Sequence, residues 1–275
     1  ESIQNKIVDF LDTQKAKIKS LIKKKEEFIK LLEEKKSALI SEAVTRGINP
    51  NISFKKTKVG WLNEIPSHWG IEIPNRLFSE SKERAHKDDE MLSATQKYGV
   101  ISTSKFESLE NRQVTKAILH LEKRRHVEKG DFVISMRSMD GGLEIAHESG
   151  SVRSSYSVLK PSNLIDGKFF SFLLKSNLYI QALQLTTNFV RDGQDMNFNH
   201  FKKVPLPKIP LEEQKLIAKF LEDKIKTINT IILKTKDSID LINEYYFSML
   251  DKILEISLSD SDKNSLENIF NNSFL

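Results

Sequence analysis

Gln214-Lys215-Leu216-Ile217-Ala218-Lys219-Phe220-Leu221 repeats the pattern of Gln4-Asn5-Lys6-Ile7-Val8-Asp9-Phe10-Leu11, 210 residues earlier in the chain. The shared Gln-x-x-Ile-x-x-Phe-Leu core runs on without a gap. Ile18 falls on Ile228, Ile22 on Ile232, Lys24 on Lys234, Ile29 on Ile239, Leu31 on Leu241 and Glu34 on Glu244. An unbroken register of this kind points to two copies of one helical element. Neither copy contains Gly or Pro, and Pro210 stands just before the second, where a helix start tolerates it.

In the first copy Gln4, Leu11, Ile18, Lys25, Leu32 and Leu39 recur every seven residues. Ile7, Gln14, Leu21, Phe28 and Lys35 form a second column offset by three, and Ile22 and Ile29 widen the stripe. In the second copy Leu221, Ile228, Ile242 and Met249 combine with Ile217 and Ile231. The column Ile225, Ile232, Ile239, Tyr246 and Ile253 broadens that face. Heptads broken by Lys25, Lys35 and Thr235 suit a two-helix seam better than a free zipper. At about 1.5 Å per residue each copy is a rod of roughly 60 Å. The expectation is an antiparallel coiled-coil stalk packed through Leu11, Ile18, Leu32, Leu221, Ile228, Ile232 and Ile239.

Between the copies lies a unit with its own core. The expected organisation is a long helix over 1–45, an α+β domain over 46–210, a second long helix over 211–256 and a tail over 257–275. Arg46-Gly47-Ile48-Asn49-Pro50-Asn51 breaks the first helix, and 46–65 reads as a linker. Trp61 and Trp69 flank Pro66 and read as anchors into a core. Strands are expected over Asp131–Arg137, Leu143–Ala146 and Ser154–Leu159, with a turn at Gly141-Gly142. One amphipathic helix is expected over Lys168–Leu183, and Asn197 or Asn199 as the cap of a short one. The prolines of Val204–Ile209 make that segment extended or an edge.

Composition narrows the chemistry. The 275 residues contain no cysteine, so thiolate metal sites, disulfides and cysteine nucleophiles are excluded. The net charge of +5 divides unevenly: 1–45 carries +2, 46–210 carries +7 and 211–275 carries −4. A polyanion surface therefore belongs in the middle. No apolar run is long enough to span a membrane and no signal peptide opens the chain, so a cytoplasmic protein with no membrane partner is expected. The first residue is not Met, so the chain reads as processed or as part of a longer polypeptide.

Signatures of catalysis are missing. There is no phosphate-binding glycine loop, no Gly-x-Ser-x-Gly and no His-Glu-x-x-His. The histidines at 68, 86, 120, 126, 147 and 200 have no paired ligand spacing, so no metal site is expected. Asp131, Asp140, Glu144 and Asp192 have no spacing that favours a nuclease site, and Asn49-Pro50-Asn51-Ile52 fails the pattern of an aminomethyltransferase loop. No catalytic residue is assigned.

Together these features resemble the specificity subunit of type I restriction–modification systems. The resemblance rests on Pro205-Leu206-Pro207-Lys208-Ile209-Pro210-Leu211-Glu212-Glu213-Gln214-Lys215-Leu216-Ile217. It is supported by Gly60-Trp61-Leu62-Asn63-Glu64-Ile65-Pro66-Ser67-His68-Trp69 and Lys129-Gly130-Asp131-Phe132-Val133-Ile134-Ser135. The family alternates recognition domain and helix twice. This chain shows helix, recognition domain, helix, so it looks like the C-terminal half of such a subunit or a half-size form.

The resemblance implies a non-catalytic role. One recognition domain reads a half-site of double-stranded DNA, and the helices hold domains at a fixed separation. Methyltransferase (modification) subunits dock on the helices and a restriction subunit joins them. S-adenosylmethionine, ATP and Mg belong to those partners, with none bound by this chain, and a half-subunit would self-associate through its helices. Base reading needs Arg, Asn or Gln, and phosphate contact needs Lys or Arg. DNA contacts are accordingly expected from Arg137 and Ser138 at a strand end, from Arg153, Ser155 and Tyr156 at a strand start, and from Arg191, Gln194 and Asn197 in a polar loop. Lys123-Arg124-Arg125 reads as a solvated charge run and Lys23-Lys24-Lys25 as stalk surface. The rival readings are a coiled-coil protein-interaction module with an α+β head that does not bind DNA, and a stand-alone nuclease.

Overall fold

The computed structural model describes residues 3–114, 123–136, 138–186 and 196–258. Two long helices bracket the chain: α1 (Ile3–Arg46) and α8 (Leu211–Leu258). Between them lie twelve strands and six short helices among the described residues. The chain divides into two compact units, residues 1–36 with 224–275, and residues 37–223.

In the first unit α1 and α8 pack as antiparallel neighbours. Ile228 and Ile232 are 7% exposed and Ile253 2%, while Ile18, Ile22, Ile29, Ile239 and Tyr246 are half-buried. Lys36 closes the seam by donating to Asn229 Oδ1 at 3.3 Å. Leu32, Ile228 and Ile232 are buried and Leu11, Ile18 and Ile239 half-buried, and Leu221 is fully buried within the other unit. The second column is corrected. Leu21 and Phe28 are 45% exposed and Ile231 38%, whereas Ile22, Ile29, Ile232 and Ile239 turn inward. With about 100° per residue, Ile18, Ile22, Ile29 and Lys36 cluster on one side, and Leu21 and Phe28 sit a further sixth of a turn or more around. A fully buried Ile contributes on the order of 1.5–3 kcal/mol, so Ile228, Ile232 and Ile253 carry most of the apolar stabilisation, and the half-buried Ile18, Ile22, Ile29 and Ile239 add less each.

The second unit is built on short antiparallel pairs. β1 (Phe54–Lys56) pairs with β2 (Glu64–Pro66), so 46–65 is structured rather than a plain linker. β3 (Gly70–Glu72) leads through α2 (Pro74–Leu77) to β4 (Phe78–Ser81). β5 (Leu92–Thr95) and β6 (Gly99–Ser102) form a hairpin followed by α3 (Thr103–Glu110). β7 (Arg125–Val127) pairs with β10 (Gly150–Val152). The four-stranded sheet has the order β4, β11 (Ser157–Pro161), β8 (Phe132–Ile134), β9 (Glu144–Ile145). Among the described residues β12 (Leu206–Lys208) pairs only with β3, which suits a segment whose Pro207 has no amide hydrogen to donate.

Two apolar clusters fill this unit. Phe78 meets Phe132, Phe170 and Phe201 edge-to-face, with centroids 5.5–5.6 Å apart. Leu92, Val100, Val127, Val133, Val152 and Val158 form the other, with Tyr156 packed against it. Trp69 is fully buried, and Trp61 donates from Nε1 to Pro205 O at 3.0 Å, so both tryptophans are anchors.

Local chemistry sets several boundaries differently. Instead of one helix over 168–183 there are two, α5 (Gly167–Leu173) and α6 (Asn177–Gln184). The hydroxyl of Ser176 accepts from Tyr179 N and starts a new helix, as Asp166 does from Phe169 N for α5. β8 stops at Ile134, and Ser138 opens α4 (Ser138–Gly141). Asn197 caps α7 (Phe198–Phe201) as expected, accepting from Asn199 N at 2.9 Å.

Candidate nucleic-acid interface

Strands β7 and β10 run side by side, and the turn after β10 shapes the site. Tyr156 N donates to Arg153 O at 3.0 Å, closing a turn with Ser154 and Ser155 at its exposed tip. Arg153 and Ser155 are therefore turn residues before β11, not the beginning of a strand. Tyr156 is half-buried because its ring rests on the Leu92/Val152 cluster, which fixes the turn against the core.

Arg153 and Tyr156 line a cleft of about 710 Å³ together with Lys97, Arg112, Arg124 and Glu144. Arg124 is the fixed element. Only 8% exposed, it donates from Nε to Ser151 Oγ at 3.0 Å and from Nη2 to Ser151 O at 2.6 Å. Its burial lowers its pKa below the usual arginine value, and the charge of Arg153 lowers it further, with Tyr156 opposing. A guanidinium keeps its charge under these conditions, so two cations face one cleft with mutual repulsion that an anion would relieve. Lys123-Arg124-Arg125 is therefore not a plain solvated run: Lys123 is exposed, Arg125 half-buried and Arg124 part of the cleft wall. Arg124 directly precedes strand β7, whose alternation turns a long side chain inward, and a run of like charges hides that.

The acidic groups of the cleft are already neutralised. Glu110 accepts from Tyr98 Oη at 2.7 Å and Lys97 Nζ at 3.0 Å, which hold its carboxyl below the ordinary range. Glu144, 3% exposed, accepts from Lys175 Nζ at 2.8 Å. Burial pushes its pKa up, and Lys175 opposes this. The free charge of the cleft is consequently positive, carried by Arg112, Arg124 and Arg153.

The other expected contacts divide. Ser138 is fully buried; its Oγ accepts from Ser135 N at 2.9 Å, so its hydroxyl serves the start of α4 and does not face a ligand. Asn197 is committed through Oδ1 to the cap of α7. Arg137, Arg191 and Gln194 lie outside the described residues. The structure thus brings Arg153 and Tyr156 together with Arg124, Arg112 and Lys97, three residues that the reading of the sequence did not assign to DNA. The Lys97-Tyr98 pair of a cation and an aromatic ring was the one available signal. Asp131 accepts from Glu128 N and lies 3.6 Å from Lys160 Nζ. Among the described residues neither it, Asp140 nor Glu144 joins a cluster that could hold a metal.

Comparison with known proteins gives a consistent result. A family model described as "Type I restriction modification DNA specificity domain" matches residues 74–258. A protein named "Putative type I restriction enzyme MjaX specificity subunit", from Methanocaldococcus jannaschii, is 26% identical over 237 residues, which cover 81% of this chain and 51% of that protein. The chain thus spans about half the length of that curated relative. Among solved structures it resembles the HsdS subunit from Thermoanaerobacter tengcongensis at 13% identity and TM-score 0.51, over 90% of this chain and 57% of that one. A chain from a structure of type I R-M complex assembly and conformational transition matches at 13% identity and TM-score 0.61, over 90% and 58%. At such identities the likeness concerns the fold: mixed helix and strand with two long helices packed together.

Proposed function

The chain belongs to the type I restriction–modification DNA specificity family, and from that premise we propose that it is a specificity component that binds a half-site of double-stranded DNA and contributes no catalysis of its own. The observation that carries this reading is the cleft in which exposed Arg153 and half-buried Tyr156 converge on buried Arg124. Arg124 is preorganised by Ser151, so it loses little side-chain entropy on meeting a phosphate or a base edge. Arg153 and Ser155, at an exposed turn, are free to reach into a groove. In this reading residues 46–210 are the recognition domain, with 1–45 and 211–256 as spacer helices.

The partners follow from the same premise. Methyltransferase subunits dock on the long helices, and a restriction subunit completes the assembly. S-adenosylmethionine, ATP and Mg act on those subunits, in the cytoplasm. Leu21, Phe28, Leu31, Leu233, Leu241 and Phe247 are all 45% exposed or more and supply apolar surface for such docking. No helix among the described residues is long and apolar enough to cross a membrane.

The test is selection of bound sequences from a random duplex library, with the chain alone and with a methyltransferase subunit. Enrichment of a short motif is expected, and a spaced repeat of it would show two chains paired through their helices. A folded protein that enriches nothing in either arm would leave the coiled-coil interaction module as the better reading.

A further inference from the structure

The loop between β4 and β5 carries a constellation that DNA reading does not use. Ala85 N donates to Arg124 O at 3.0 Å and His126 N donates to Glu83 O at 3.1 Å, so residues 83–85 pair antiparallel with the start of β7. That pairing sets Glu83 beside His126. Downstream, Asp89 N donates to His86 O at 3.2 Å and His86 N donates to Asp89 Oδ2 at 2.9 Å, which folds residues 86–89 back on themselves. The result is that two histidines 40 positions apart stack, with ring centroids 4.1 Å apart and planes inclined by 22°.

Hydrogen bonding fixes the chemistry of the inner ring. His126 Nδ1 lies 2.8 Å from Asp89 Oδ2, and both side chains are about nine-tenths buried, at 10% and 9% exposed. A carboxylate only accepts, so Nδ1 carries the proton and the neutral ring offers its lone pair at Nε2. This is the carboxylate–histidine arrangement that orients metal ligands. The outer ring is less constrained: His86 is exposed, with Nε2 3.1 Å from Glu83 Oε1. One potential ligand atom from each of Glu83, His86 and His126 lies within 4.8 Å of the others, and this is the one such group among the described residues.

We propose that Glu83, His86 and His126 bind a divalent transition-metal ion of the zinc class, with Asp89 as the positioning residue behind His126. Two imidazoles and a carboxylate are the ligands that zinc accepts, whereas calcium and magnesium favour oxygen throughout. Tetrahedral bonds of about 2.0–2.1 Å require ligand atoms roughly 3.3 Å apart. Stacked rings hold their in-plane lone pairs side by side, so binding requires the exposed His86 to turn off the stack and, with the exposed Glu83, to close that gap toward the fixed His126. Lys160, whose charge interacts with Glu83, is itself engaged by Glu128 and Asp131. None of the three ligands lines the DNA cleft, yet His126 lies on β7 two residues after Arg124. A bound ion would clip the 83–89 loop to the segment that holds the buried arginine.

The experiment uses the full chain without a histidine tag. Zn2+ is titrated against it by calorimetry, Co2+ is added in parallel for its visible absorption, and Mg2+ serves as the control. The expected result is one Zn2+ per chain with a dissociation constant in the micromolar range or below, a visible band from tetrahedral Co2+, and no response to Mg2+. His86→Ala and Glu83→Gln alter exposed side chains and leave the fold intact, as circular dichroism would confirm. His86→Ala should abolish the Co2+ band and weaken Zn2+ binding at least about tenfold, and Asp89→Asn should weaken it by about 10–100-fold. Failure of the parent chain to bind Zn2+, or a His86→Ala variant that binds it like the parent, would overturn the assignment. Because DNA selection is a separate readout, loss of one conclusion leaves the other standing.

Discussion

Gln214 is the residue whose replacement tests the fold most directly. It is 2% exposed, and its amide is fully used. Nε2 donates to Leu164 O and Ile209 O, each at 2.9 Å, and Oε1 accepts from Asp166 N at 2.8 Å. One side chain in the first turn of α8 thereby satisfies three backbone groups from two other segments. In Gln214→Leu, with similar volume and no helix-propensity loss, those groups are orphaned. The bond to Ile209 O is buried, so its loss costs about 1–3 kcal/mol. The other two are only part-buried, and water can replace some of their value, leaving roughly 0.5–1 kcal/mol each. The expected destabilisation is about 2–5 kcal/mol. Urea unfolding followed by tryptophan fluorescence reports on this unit alone, since Trp61 and Trp69 both lie in residues 37–223. At about 2 kcal/mol per molar for the slope, the midpoint should fall by roughly 1–2.5 M with the slope unchanged. Gln181→Leu, on an exposed face of α6, is the control and should shift stability by under about 0.5 kcal/mol. Gln214→Glu sharpens the test. It sets a carboxylate against two carbonyl oxygens, so its folded-state pKa rises. Its stability deficit should be greatest at neutral pH and shrink as pH falls, when the protonated acid can donate one bond. A Gln214→Leu variant within about 1 kcal/mol of the parent would show that the amide network does not hold α8 in place.

Four further outcomes are expected. Arg153→Ala should leave the melting temperature unchanged, weaken DNA binding and reduce the slope of log affinity against log salt by about one; an unchanged slope would remove Arg153 from the interface. Ile228→Asp places a charge at a 7%-exposed seam position and should strip helical signal from the long helices at lower urea than the parent, while tryptophan fluorescence is unaffected. Gly142→Ala should destabilise by well over the usual ~1 kcal/mol of such exchanges, because φ is +78° and a Cβ would stand 2.2 Å from Leu174 O. Glu144→Gln tests linkage. Burial raises the Glu144 pKa, so the native state binds more protons than the unfolded chain in the window above the ordinary value of 4.5. Stability of the parent relative to the variant should therefore grow as pH falls from neutral toward 4.5, and a difference independent of pH would refute the assigned shift.

The helices were legible because their signal is long. Register repeated over 4–34 and 214–244 averages out single errors, and the absence of Gly and Pro leaves no competing interpretation. What periodicity could not fix was which three-residue offset faces the partner. Ile18, Leu21, Ile22, Phe28 and Ile29 are all apolar, and only the position of α8 decides that Ile22 and Ile29 turn in while Leu21 and Phe28 stay out. In the middle unit the strands run two to five residues among the described segments, too short for alternation to define their ends. Capping settles those ends instead. Ser176 divides what reads as one amphipathic helix, because a hydroxyl meeting the amide three residues on starts a helix whatever the hydrophobic pattern says.

The polar residues expected at DNA divide for a related reason. Ser138 and Asn197 are short polar groups between regular elements, positions where DNA contacts and backbone caps compete for the same side chains. Both go to the backbone, whose orphan amides are always present, whereas a ligand is not. Arginine is not subject to that competition, because its stem is too long for a local cap and its five donors are rarely spent on neighbours. Arg153 accordingly stays exposed at its turn. Arg124 escapes a reading of the sequence because a triplet of cations looks like surface, yet burial is what makes it informative. A guanidinium 8% exposed, held by one serine and repelled by a second arginine, is costly to keep without an anion. Such a cost is understandable in a protein that meets a polyanion and has no purpose in one that does not. If Arg124→Met, which fills the same space without charge, stabilises the chain while abolishing DNA enrichment, the burial serves binding at the expense of stability. If it destabilises the chain and spares DNA selection, Arg124 is structural and the interface must be sought elsewhere.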